Sequence, residues 1–215
     1  LIDADPQGSL TASLGVAEPD EVDVTITTIL SKIINEEPWN KEDGILHHEE
    51  GVDFLPANIE LSGLEVSLVN VMSRETVLRR YIDEMRGSYD YIIADSMPSL
   101  GMITLNVLTA ADSVLIPVQA EYLPVKGLQQ LLGTIRRVKR QLNPALSIEG
   151  ILITMMNART VYGREIAELL REGYGEQVTI YEDAIPASVR AKETSALGIS
   201  IYEHDPRGKV AAGYT

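Results

Sequence analysis

Apolar runs and helical periods alternate along the chain. Leu1 to Asp3 has the pattern of the tail of a buried strand, and the turn Asp5-Pro6-Gln7-Gly8 leads into a short helix ending near Gly15. The periodicity predicts helices over Thr25 to Asn35, Glu60 to Val71 and Arg74 to Met85, with a short strand over Val52 to Pro56 before the last two. Tyr89 to Asp95 (YDYIIAD) is a β-rich run that ends in an acid, and Ser113 to Val118 is a second buried run. A long amphipathic helix over Leu123 to Leu142 is closed by Asn143-Pro144. It is followed by a strand over Ile148 to Thr154, a helix over Tyr162 to Glu172 and a last strand over Val178 to Ile185 before Pro186.

Strands that read as continuous apolar runs, separated by helices of ten or more residues, imply a mostly parallel sheet covered by helices on both faces. The fold class expected is therefore a doubly wound α/β domain. With 215 residues, 45% of them hydrophobic, one domain spanning residues 1–215 accounts for the whole length. Both ends read as cut. The chain opens on the last residues of a core strand, and DPRGKVAAGYT at its end resembles a helix that has only begun.

No run approaches the roughly 18 to 20 uncharged apolar residues of a membrane span. With no cysteine in the chain, disulfides and thiolate metal sites are excluded, which fits a cytoplasmic protein. His47, His48 and His204 make a poor metal set. The formal charge of −14 argues against a protein that coats DNA constitutively, because phosphate binding needs clustered Lys and Arg. The densest basic run, Arg136, Arg137, Lys139 and Arg140, reads as the solvated face of a helix. Asp20 to Gly51 contains no interpretable motif.

In open parallel sheets ligands sit beyond the carboxyl ends of the strands. Three polar sites fall there: Asp3 with Asp5, Asp95, and Asn157. An Asp at the tip of an apolar strand is costly to desolvate, and a magnesium ion held through water would compensate it. Asp95 fits that Walker B role, or it caps the following turn. Asp3 and Asp5 lie on one side of an extended chain. They could orient a metal-bound water and an attacking water, or simply favour the positive end of the next helix.

The segments LIDADPQGSLTASLG, YDYIIADSMPSLGMITLNVLTAADSVLIPVQAEYLPVKGLQQL, IEGILITMMNART and AIPASVRAKETSALGISIYEHDPRGKVA resemble the ParA/Soj family of chromosome and plasmid partition ATPases. The resemblance runs in order over nearly the whole chain and implies a P-loop NTPase-like fold using ATP and magnesium. On it, Asp5 matches the acid implicated in hydrolysis, Asp3 its companion near the metal, and Asp95 the Walker B acid. Asn157 matches the position that contacts adenine, and Pro186 lies in the loop closing over that base. Arg159 and Arg190 match arginines that bind DNA nonspecifically across an ATP-bound homodimer. A DNA-bound partner of the ParB type would stimulate hydrolysis, and the protein would be cytoplasmic and nucleoid-associated.

The departures are equally specific. The family carries a KGGxGKT-like loop one helix before the Asp3 strand, whose backbone amides and lysines cradle the phosphates, and these 215 residues contain no such loop. The chain as given is therefore expected neither to bind nor to hydrolyse ATP. Ser96-Met97 replaces the Cys-Pro usual after the Walker B acid. Two other readings remain at this point: a MinD-like ATPase that positions cargo on a membrane, and a noncatalytic binding module that has lost the phosphate loop.

Overall fold

The computed structural model describes residues 1–97, 99, 101–157 and 160–215, with side chains omitted over 122–126. In chain order the elements are β1 (Ile2–Ala4), α1 (Ser9–Ser13), α2 (Ile26–Ile34), β2 (Leu46–His48), β3 (Val52–Phe54), α3 (Glu60–Leu68), α4 (Val77–Met85), β4 (Ala94–Ser96), α5 (Met102–Ala110), β5 (Ser113–Gln119), α6 (Tyr122–Gln141), β6 (Ser147–Thr154), α7 (Val161–Tyr174), α8 (Val189–Leu197), α9 (Ile201–His204) and α10 (Lys209–Gly213). β1 pairs with β4 and β5 with β6, both in parallel, while β2 and β3 form a small antiparallel hairpin. The chain continues from β3 into Leu55, which makes a parallel bridge to Ile2 on the other side of β1. The α/β architecture with helices on both sides of parallel strands is the one the alternating pattern implies.

Two apolar clusters carry the packing. The first joins β1, α2, α3 and α4 and includes Ile2, Ile29, Leu61, Leu78 and Ile103. The second joins β5, β6, α6 and α7 and includes Ile116, Leu132, Ile151 and Leu170. In α2 the buried residues are Ile26, Ile29, Leu30 and Ile33, a spacing that puts four aliphatic side chains on one stripe. Each contributes about 1.5–3 kcal/mol of transfer free energy on burial.

α5 connects the clusters. Its Ile103, Val107 and Ala110 belong to the first and Leu108 to the second. Thr104, Asn106 and Thr109 are buried as well, so the helix has no polar stripe and gives no amphipathic signal. Asn106 fixes its start: Oδ1 accepts from Leu78 N at 3.1 Å, and Nδ2 donates to Arg74 O at 2.8 Å and Met102 O at 2.9 Å. Asn143 fixes its end by donating to Leu108 O at 3.1 Å and Ala111 O at 2.7 Å.

The structure departs from the sequence pattern in two strands. The run Tyr89 to Asp95 is paired as a strand only from Ala94, opposite Ile2, whose N–H bonds to Ile93 O at 2.8 Å. Val178 to Ile185 is extended beside β6 but is not a continuous strand. Tyr181 N bonds to Ile151 O and Ile185 N to Ile153 O, so four residues of this segment span two residues of β6 and the acidic Glu182-Asp183 is looped out.

Candidate functional site

Asp3 and Asp95 are directly paired across the β1–β4 ladder. Parallel neighbours lie about 4.8 Å apart, and paired residues point to the same face. The acids are therefore adjacent at the carboxyl ends of two strands, with Asp5 just beyond.

Asp3 is fully buried. Its Oδ2 accepts from Thr11 N at 2.8 Å and from Thr11 Oγ1 at 2.7 Å, and Oδ1 accepts from Asp5 N at 3.2 Å. Thr11 Oγ1 in turn accepts from Ala57 N at 3.0 Å. A buried carboxylate with three donors is held in one orientation. Thr11, which the sequence reading passed over, is the residue that ties it to α1 and to the chain after β3.

Asp5 begins a tight turn. Its Oδ1 accepts from Gln7 N at 2.9 Å and its carbonyl from Gly8 N at 2.9 Å. Gly8 has φ +61°, and a Cβ there would meet Ala57 O at 2.9 Å, so the turn requires glycine. This turn sets the direction of α1 and leaves the second oxygen of Asp5 outside it.

Asp95 retains exposure to solvent, yet burial of its carboxyl, followed by the negative charges of Asp3 and Asp5, raises its pKa above the ordinary carboxylate range. Among the described residues no Lys or Arg forms an ion pair with any of them. The segment following β4 is held by Glu65, whose Oε1 accepts from Ile103 N at 3.3 Å. A Cβ at Gly101 would lie 2.0 Å from that oxygen, which explains the glycine at the N-cap of α5.

The donor set fits a magnesium ion held through water better than one chelated directly. Among the described residues no group of three carboxylate or imidazole side chains is arranged to hold a metal. Asp3 has protein donors on both oxygens, whereas the backbone amide of Ser96 offsets only a minor part of the penalty on Asp95. Magnesium dehydrates reluctantly and is commonly held by one or two carboxylates together with waters and substrate phosphates.

Asn157 and Pro186 come together. Met156 bridges Pro186 in parallel, with Met156 N bonded to Ile185 O at 2.9 Å and Ala187 N to Met156 O at 3.0 Å. Asn157 follows directly at the carboxyl end of β6, its carbonyl accepting from Thr160 Oγ1 at 2.9 Å. Met155, one residue beyond the strand, has φ +50°, a left-handed conformation that turns the chain into this loop. Arg190 is exposed near the start of α8 and lies 3.7 Å from Glu193 Oε2. Arg159 lies outside the described residues.

A family model described as an AAA domain matches residues 1–148. The sporulation initiation inhibitor protein Soj of Bacillus subtilis is 42% identical over the whole of this chain and 82% of its own length. The chromosome partitioning protein ParA of Myxococcus xanthus is 40% identical over the whole of this chain and 73% of its own length. Among solved structures, cobyrinic acid a,c-diamide synthase from Mycobacterium smegmatis with bound ADP and magnesium is 35% identical, with a TM-score of 0.77 over 92% of this chain and 76% of that one. The resemblance carried by the DPQG, IIADS and NART segments is thus matched over the full length, and the chain belongs to the ParA/Soj family of partition ATPases.

Proposed function

We propose that the complete gene product containing these residues is a DNA partition ATPase that binds ATP with magnesium, forms a homodimer in that state and binds DNA nonspecifically. The observation that carries the proposal is the pairing of Asp3 with Asp95, with Asp5 beyond them, at the carboxyl ends of parallel strands. Residues 1–215 act as one nucleotide-binding unit. Asp95, with Asp3 behind it, holds magnesium through water, and Asp5 orients the attacking water. Phosphoryl transfer depends mainly on positioning and charge neutralisation, so fixed acids suffice once a cationic phosphate loop is joined to them.

Asn157 and Pro186 contact the base, an assignment supported by their adjacency across the β6 end. Arg159 and Arg190 contact DNA phosphates. In a chain of net charge −14 such contacts are few, and two-fold dimerisation doubles them. A DNA-bound partner of the ParB type stimulates hydrolysis, and the cycle takes place in the cytoplasm on the nucleoid. Partition is preferred to synthase chemistry because Soj is more similar and shares more of its length with this chain than the synthase does.

The test is Asp5→Ala in the complete gene product. Mg-ATP affinity is expected to stay within about two-fold while turnover falls by about 100-fold or more, the size of effect that loss of a positioning group has on the chemical step. Unchanged turnover overturns the role of Asp5. DNA retardation against vesicle sedimentation, run side by side, distinguishes partition from membrane positioning.

A further inference from the structure

Arg190 and Glu193 are one helical turn apart on α8, and His204 of α9 completes a cluster around a single oxygen. Glu193 Oε2 lies 3.7 Å from Arg190 Nη1 and 2.8 Å from His204 Nε2. The three side chains differ in exposure: Arg190 is 62% exposed, Glu193 46% and His204 only 14%. The arginine thus presents its charge to solvent, while the imidazole is held from behind.

The holding is specific. α9 is capped by Ser200, whose N–H donates to Glu50 Oε1 at 2.7 Å, and α8 by Gly198, whose carbonyl is 2.8 Å from His48 Nε2. Gly198 has φ +67°, and a Cβ there would be 2.7 Å from Gly15 Cα, so the α8–α9 corner is packed directly on the end of α1. The imidazole therefore approaches Glu193 from a fixed direction rather than as one of several surface rotamers.

We propose that Glu193 competes with nucleic-acid phosphates for Arg190, and that the charge on His204 sets the strength of this competition, so that α8 grips DNA more tightly as pH falls. The proposal rests on the reading of Arg190 as a DNA-contacting residue. With His204 neutral, Arg190 and Glu193 cancel and the cluster carries no net charge. With His204 protonated the cluster carries one positive charge, and Glu193 has a second cation to pair with. Phosphate binding responds to net positive charge through counterion release, so the second state binds more strongly.

The other charged groups on the elements around His204 are Lys192 of α8, Glu203 of α9, Asp205 and Arg207 of the α9–α10 connection, Lys209 of α10, and His48, Glu49 and Glu50 of the β2–β3 turn; α1 carries none. Of these only His48 is of a type that ordinarily changes charge between about pH 5 and pH 8. A His204 variant separates the two histidines.

The experiment measures DNA retardation by the complete gene product with Mg-ATP at about pH 8 and about pH 6, a span within which histidines ordinarily titrate. E193Q is expected to bind DNA about two- to five-fold more tightly than wild type at the higher pH, the scale of one exposed ion pair. H204Q is expected to remove most of the pH dependence, and R190A to weaken binding at both pH values. If R190A weakens binding while E193Q leaves it unchanged, the competition is overturned and the DNA role of Arg190 stands. If R190A has no effect, that role is overturned and the proposal with it. An H204Q variant whose DNA binding keeps the full pH dependence of wild type overturns the part assigned to His204.

Discussion

Asp3 and Asp95 occupy the same rung of the β1–β4 ladder yet are stabilised in opposite ways. Asp3 is buried and saturated with donors from Thr11 and Asp5, whereas burial and neighbouring negative charge push Asp95 towards its protonated form. One acid is a fixed element of the scaffold. The other is left in need of a cation, and the site's chemistry follows from that difference.

Thr11 is the test of the scaffold half. Its hydroxyl donates to Asp3 and accepts from Ala57 N, so Thr11→Val strips a buried carboxylate of one donor and a buried amide of its acceptor. The expected cost is about 1–3 kcal/mol in urea unfolding, with Thr11→Ser retaining most of the stability. A valine variant as stable as wild type contradicts the role given to Thr11.

Asp95, with its raised pKa, is the test of the other half. The folded protein favours the protonated carboxyl, so ionisation costs stability. That cost is absent below the unfolded carboxylate value of about 3.9, grows as pH rises and is complete above the raised folded value. In magnesium-free buffer Asp95→Asn is therefore expected to be more stable than wild type at about pH 7, with the gain vanishing below about pH 3.9. Urea unfolding at several pH values measures it, and a less stable variant at neutral pH contradicts the electrostatic reading.

Gly15 and Gly198 meet where α1 packs on the α8–α9 corner, and both have left-handed φ, +92° and +67°. Alanine at either position is strained, by about 1–2 kcal/mol. At Gly198 the new Cβ would also lie 2.7 Å from Gly15 Cα, while at Gly15 the nearest atom is 3.9 Å away. Gly198→Ala should therefore lower stability clearly more than Gly15→Ala in the same unfolding assay. Equal losses would mean that backbone conformation alone governs this contact.

Much of the architecture was legible in the sequence because it rests on local periodicity. The aliphatic stripe of α2 announces its burial, and the basic outer face of α6 its exposure. α5 was not legible because it is buried on nearly every side, and its polar Asn106 and Thr109 disguise it as a loop. The candidate acids were legible because strand ends followed by Asp are visible in one dimension. Thr11 and Glu65 were not, since each acts on a residue brought to it only by folding: Thr11 on Asp3 and Ala57, Glu65 on the start of α5. The adjacency of Asn157 and Pro186 likewise depends on a bridge between segments 30 residues apart in sequence.

Magnesium-dependent ATP binding tests the central claim most directly. Calorimetry should be run on the 215-residue chain and on a form extended upstream by its own coding sequence, with Asp95→Asn in the extended form as control. Binding by the extended form alone, with its magnesium dependence lost in Asp95→Asn, is the expected result. Binding by the 215-residue chain contradicts the need for a phosphate loop, and binding by neither form identifies a noncatalytic module instead of an ATPase.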